Sequence, residues 1–130
     1  MIIMDLTNRT KERSKAVEKL YAYEMTGEVD FNETTDYAAS LINGVIDNKD
    51  LIDEIISKNL FNYTIKRLNL VDLAIIRVAT FELLQKELDK KVIINEALNL
   101  TKIYTNLDDD KAKAFNNKLL DNIAKDIDAR

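Results

Sequence analysis

Leu70 to Leu84 reads "LVDLAIIRVATFELL". Its apolar residues fall on every side of a helix, the pattern of a helix surrounded by protein. Yet it carries Asp72 near its start, Arg77 at its centre and Glu82 near its end. A core excludes unpaired charge. Arg77 therefore either lies on a narrow exposed edge and snorkels to water, or pins this helix to a neighbour through an ion pair. "VIINEALNL" (Val92 to Leu100) offers the partner: Glu96 sits mid-helix among Ile93, Ile94, Ala97 and Leu98. The expectation is an interhelical Arg77–Glu96 pair, with Glu82 on the same helix as the fallback. Breaking such a pair, if fully buried, costs roughly 3–5 kcal/mol.

Outward from this helix the periodicity stays helical. The first helix is expected from about Thr7 to Met25, with Ala16, Val17, Leu20, Tyr21 and Glu24 on one face and Gly27 as its stop. Asn32 or Thr34 is a candidate cap for a second helix, whose stripe is Tyr37, Ala38, Leu41, Ile42, Val45 and Ile46. After a break at "DNKD", Leu51, Ile52, Ile55 and Ile56 form a short third helix. "NLFNYTIKRLNL" is irregular, with one helical turn from Ile65 to Leu68. Beyond the polar "KELDKK", a helix from Val92 to Tyr104 turns Ile93, Ile94, Ala97, Leu98 and Thr101 inward. Asp108 to Asp110 resembles the acidic start of a last helix, which carries the i, i+4 row Phe115, Leu119, Ile123 and Ile127.

Composition agrees. Of 130 residues 46% are apolar and 32% charged, proline is absent, and glycine occurs only at Gly27 and Gly44. So few breakers point to an all-α chain, long enough to bury a core as a single domain over 1–130. Without cysteine, disulfides and thiolate metal sites are excluded. Without histidine, the usual general base and the commonest neutral metal ligand are missing. The acidic run at Asp108 lacks the alternating oxygen ligands and glycine of a calcium loop. No phosphate loop, triad or paired-carboxylate motif stands out. Neither a signal peptide nor a membrane span is expected, so the setting is cytoplasmic.

The net charge of −4 opposes nucleic acid, but its distribution matters more. "RTKERSKAVEKLY" (Arg9 to Tyr21) carries Arg9, Lys11, Arg13, Lys15 and Lys19 against only Glu12 and Glu18, while the rest of the acidity lies elsewhere. On a helix the basic rows are expected along one side, opposite the apolar stripe. A solvated face is the plainer reading; a phosphate-binding stripe is the functional one.

Several strings together resemble the NusB family of bacterial transcription antitermination factors. They are "RSKAVEKLYAYE" (Arg13 to Glu24), "ASLINGVIDNKDLIDEII" (Ala39 to Ile56), "LNLVDLAIIRVATFELL" (Leu68 to Leu84), "VIINEALNLTKIY" (Val92 to Tyr104) and "FNNKLLDNI" (Phe115 to Ile123), in order and without large gaps. The resemblance implies about seven helices in two small bundles packed across each other, no catalysis and no cofactor. It implies binding of the boxA element of nascent RNA together with NusE, a small-subunit ribosomal protein, and read-through by RNA polymerase, notably in ribosomal RNA operons.

Residue by residue, the resemblance places RNA contacts at Arg9, Lys11 and Arg13, with Lys15 beside them, and at Lys113, Phe115 and Asn117. It places Tyr21 and Asp72 on the NusE-facing side. For Phe115 the favoured expectation is core, since it shares the Leu119 and Ile123 row; a stacking face for an unpaired base is the alternative. For Tyr21 and Asp72 the plainer reading is a core ring and a helix cap near Asn69. Two departures bear on RNA: Lys118 stands where the family has glycine, and Thr10 and Glu12 dilute the basic motif. A helical adaptor that binds protein alone is the competing function. The NusB-like domain of a ribosomal RNA methyltransferase is disfavoured by the end at Arg130, and a carboxylate-only hydrolase has no motif behind it. Assembly into a homodimer is left open.

Overall fold

The computed structural model describes residues 2–105 and 110–130, with side chains from Arg9 onward. The described residues form six α-helices and one short 3-10 turn: α1 (Ile2–Thr26), α2 (Asp36–Asp47), α3 (Lys49–Lys58), η1 (Ile65–Arg67), α4 (Leu70–Gln85), α5 (Lys90–Tyr104) and α6 (Lys111–Ala129). α1 begins earlier than its apolar period suggests. It ends at Gly27, which adopts a left-handed conformation (φ 79°) while its N–H bonds the Tyr23 carbonyl at 2.7 Å. Neither Asn32 nor Thr34 caps α2. Thr35 does, its hydroxyl accepting from the Ala38 N–H at 3.1 Å. The break at "DNKD" shrinks to Asn48, whose amide donates to the Gly44 carbonyl at 2.8 Å.

α1, α2 and α3 make one small bundle. α4, α5 and α6 pack mutually into a second, and α4 also contacts α1, α2 and α3, so the bundles meet on it. Ten of the residues of α4 are buried, Arg77 and Glu82 among them. One continuous apolar core runs from Ala16, Val17 and Leu20 through Ile42, Ile52, Ile56, Ile75 and Ile76 to Leu120 and Ile123. Burial of such side chains, about 1.5–3 kcal/mol each, is what holds the helices together.

The charges of α4 are paired, but not as expected. Arg77 does not reach Glu96. Its Nε and Nη2 donate to the two oxygens of Asp53 on α3, both at 2.9 Å, and its Nη1 to Glu24 on α1 at 2.8 Å. Glu96 instead accepts from Thr10 at 2.9 Å and lies 3.8 Å from Arg13. Arg77 points into the α1–α3 bundle, whereas Glu96 faces the N-terminal half of α1. Arg13 and Glu24 both extend the inward row Val17, Leu20 by one step, giving the spacing i, i+4, i+7, i+11. Charged ends of an apolar row land on the helix that the row packs against, so α1 grips α4 through Glu24–Arg77 at one point and Arg13–Glu82 at another.

Candidate nucleic-acid interface

The basic segment of α1 divides once folded. Arg9 and Lys11 are exposed and Lys15 is partly so. Arg9 lies flat over the Tyr37 ring, 3.8 Å from its centroid, and pairs with Glu12 at 3.5 Å. Lys15 pairs with Glu18 at 3.5 Å. These contacts are partly exposed, and a phosphate can replace them at little cost.

Arg13 is a correction to the expected stripe. It is 5% exposed and faces inward, not opposite the apolar row. Its Nε donates to Glu82 Oε1 at 2.8 Å and its Nη2 to Oε2 at 3.0 Å. The Tyr37 hydroxyl donates to Glu82 Oε2 at 2.7 Å and accepts from Arg13 at 3.3 Å. Burial, the largest single influence, opposes the Arg13 charge, but Glu82 together with Tyr37 and Glu96 outweighs it and raises the guanidinium pKa. Burial first, then the bond to Glu82, pushes the Tyr37 hydroxyl up to about 12. Arg13 thus holds the α1–α2–α4 junction, and its burial keeps it from a phosphate.

At the other end, the start of α6 carries an aromatic shelf. Phe115 is 41% exposed, not core. A helix advances 100° per residue, so each i+4 step drifts by 40°. Going back from Ile127 the row rotates out of the core by Phe115, and Asn116 takes the inward position. The Phe115 ring meets Tyr63 at a centroid distance of 5.6 Å and an interplanar angle of 57°, and the Arg67 guanidinium lies 5.1 Å from the Tyr63 centroid. Phe61, 72% exposed, borders a neighbouring groove of about 380 Å³ lined also by Asn59, Leu60, Phe115, Lys118 and Asn122. Lys113 is partly exposed; Asn117 and Lys118 are exposed. Phe61, Tyr63 and Arg67 went unmarked in the sequence because "NLFNYTIKR" has no helical period. Its interleaving of aromatic and basic residues is the signal that finds them. Of the acidic run, Asp110 alone is described: it precedes α6 at φ 67° without a side-chain cap bond, and Asp108 and Asp109 lie outside the described residues.

α5 packs against both α1 and α6, and the Ser14 and Tyr104 hydroxyls bond across the α1–α5 seam. Tyr21 is partly exposed on α1. Asp72 is half-buried and does not cap α4. Asn69 does that, its side chain accepting from the Val71 N–H at 2.9 Å. The Asp72 carboxylate turns instead to α5 and α6, accepting from Thr105 and Asn116. Among the described residues no cluster of three or more metal-ligating side chains occurs, and no helix is long and apolar enough to cross a membrane.

Residues 2–125 match the model of the NusB family. The transcription antitermination protein NusB of Clostridium botulinum (strain Alaska E43 / Type E3) is 41% identical, over 91% of this chain and 98% of the relative. That of Bacillus thuringiensis (strain Al Hakam) is 33% identical over 88% and 95%. Among solved structures, T. maritima NusB superposes with a TM-score of 0.77 at 29% identity, covering 90% of each chain. A crystal structure of the antitermination factors NusB and NusE in complex with double-stranded RNA gives 0.77 at 26% identity, over 91% of this chain and 96% of that one. Matched along nearly its whole length in sequence and in helix arrangement, the chain belongs to the NusB family.

Proposed function

We propose that this protein is a transcription antitermination factor that holds boxA-type single-stranded RNA jointly with NusE, and so promotes read-through by RNA polymerase, notably in ribosomal RNA operons. It acts by binding, without catalysis, cofactor or metal, in the cytoplasm, and it meets the polymerase elongation complex indirectly. The observation that carries the reading is that the described surface offers both kinds of group that hold a single RNA strand. Arg9, Lys11 and Lys15 offer exposed cations, and Phe115, Tyr63 and Phe61 offer exposed rings beside Lys118 and Arg67. Cations neutralise phosphates and release counterions; rings stack on unpaired bases. Lys113 and Asn117 lie on the same first turns of α6 and complete the strand contacts. Lys118, where the family has glycine, adds a cation at the groove and offsets the loss of Arg13 to the interior.

Three or so phosphate contacts on a chain of net charge −4 bind weakly at physiological salt. A basic ribosomal protein adding its own RNA contacts raises the effective affinity, and Tyr21 and Asp72 are the proposed contacts to it. The test is a titration of labelled boxA RNA at two salt concentrations, with and without NusE. Salt-dependent binding that NusE strengthens supports the reading. NusE binding with no RNA contribution from this chain returns the competing adaptor function.

A further inference from the structure

Asn116 lies between two exposed residues, Phe115 and Asn117, yet is itself 1% exposed. Its Nδ2 donates to Asp72 Oδ1 and to Thr101 Oγ1, both at 3.1 Å. The Thr101 hydroxyl gives its own proton to the Ala97 carbonyl at 2.9 Å, so towards Asn116 it is an acceptor. The Thr105 hydroxyl has one proton and two acceptors in reach, Asp72 Oδ1 at 2.9 Å and the Thr101 carbonyl at 3.0 Å. Thr105, just past the end of α5, and Asn116, at the start of α6, thus both place a donor within reach of the same oxygen of Asp72. Among the described residues no hydrogen bond or ion pair falls on Oδ2.

A buried amide is retained only where its bonds repay its desolvation. Here those bonds fix one oxygen of a half-buried carboxylate at the start of α4 and leave the other without a bond from the described residues. A cation approaching Oδ2 breaks no bond among the described residues and finds the carboxylate already oriented, which reduces the cost of ordering it on binding. We propose that Asn116 and Thr105 are positioning residues for partner docking: they hold Oδ1 of Asp72 so that Oδ2 is presented to a cationic side chain of the basic protein partner. The proposal rests on the reading of Asp72 as partner-facing. It gives the inward residue at the start of α6 a role in protein docking, while its neighbours Phe115 and Asn117 serve RNA.

The test is a double-mutant cycle on affinity for NusE, measured by calorimetry. Asn116→Leu keeps the branched four-heavy-atom shape of the side chain and removes the donor. It is expected to weaken NusE binding about three- to tenfold, the range for ordering one side chain at an interface, and to change it by less than about twofold in the Asp72→Ala background. Thr105→Val should behave like Asn116→Leu, while Thr105→Ser, which keeps the hydroxyl, should retain wild-type affinity. A merely structural role would weaken binding equally in both backgrounds and would overturn the proposal. Unchanged affinity in Asp72→Ala alone would overturn the reading of Asp72 as partner-facing, and the proposal with it. If Asn116→Leu fails to fold, the Thr105 pair, at the end of α5, decides by the same cycle.

Discussion

Arg13 and Glu82 form a two-pronged pair, Nε to Oε1 at 2.8 Å and Nη2 to Oε2 at 3.0 Å, with both side chains almost wholly buried. The pair joins the N-terminal half of α1 to the last turns of α4, and the Tyr37 hydroxyl closes it from α2. Removing one member leaves the other as an uncompensated charge in the interior, which costs far more than the intact pair contributes. Arg13→Ala is therefore expected to lower unfolding free energy by about 3–5 kcal/mol, read from urea denaturation. Arg9→Ala, which loses a partly exposed contact over a ring, should stay within about 1 kcal/mol. For RNA the order reverses: at a temperature where both variants are folded, Arg9→Ala should weaken binding and Arg13→Ala should not.

The same junction makes one tyrosine titrate late. Burial and the Glu82 carboxylate both penalise ionised Tyr37, so its hydroxyl loses its proton at about 12 in the folded protein but near the usual value of about 10 when unfolded. Between those values the unfolded chain binds fewer protons than the folded one, so unfolding becomes easier as pH rises. The stabilisation is fully present below about pH 10 and is lost on the way to about 12. Near-ultraviolet absorbance should show a late-ionising ring that is absent in Tyr37→Phe. A titration unchanged by Tyr37→Phe at its late end would contradict this account of the junction.

Gly44 sits within α2, where glycine weakens a helix. It is kept by a close approach: a Cβ there would overlap the far edge of the Phe81 ring of α4. Gly44→Ala gains helix propensity but forces the ring or the helix to shift. Overpacking of this kind costs about 1–3 kcal/mol. Thermal unfolding should show a lower midpoint for Gly44→Ala, partly restored when Phe81→Leu is added. A higher midpoint for the single variant would mean that the ring moves aside freely.

How much of this could be read in the sequence is clearest at α4. Its apolar surround made it the central helix, as it is, and left Arg77 either snorkelling or paired; it is paired. The partner was not legible, because it depends on how the helices cross rather than on any one helix. Glu96 and Asp53 are equally reasonable from spacing alone, and only the placement of α3 against α4 decides for Asp53. Arg13 was misread for a related reason. In a run of alternating cations it looks like surface, yet its spacing to Val17, Leu20 and Glu24 continues the buried row. Phe115 was misread because an i+4 row was treated as parallel to the helix axis. The shelf residues Phe61 and Tyr63 lie on a segment without helical period, so periodicity could not place them.

Arg77 joins α1, α3 and α4 through Glu24 and Asp53. Arg77→Met fits the volume but leaves two carboxylates facing an apolar side chain. Both acidic partners are partly exposed, so water relieves some of the loss and the cost should fall below that of Arg13→Ala. Asp53→Asn in the Arg77→Met background should recover part of the midpoint, since it removes one of the two stranded charges. No recovery would mean that the arginine stem, rather than its charge, carries the contribution.

The aromatic shelf gives the sharpest test of how the protein meets RNA. If Phe115 holds an unpaired base against the Tyr63 side of the groove, Phe115→Ala should weaken boxA RNA binding by about 1–3 kcal/mol, the range for one stacked base. Stacking releases no counterions, so the dependence of affinity on salt should keep its slope in this variant. Lys118→Ala should do the opposite. It should cost less at high salt than at low salt and reduce the slope by about 0.7, the value for one phosphate on a single strand. Because Phe115 is substantially exposed and Lys118 exposed, both variants should unfold close to the wild-type midpoint, which separates lost contact from lost fold. Fluorescence anisotropy of labelled RNA at two salt concentrations reads both effects. A Phe115→Ala variant that binds RNA like the wild type, with Lys118→Ala also unchanged, would place the strand on the α1 cations alone and leave the shelf without a part in RNA binding.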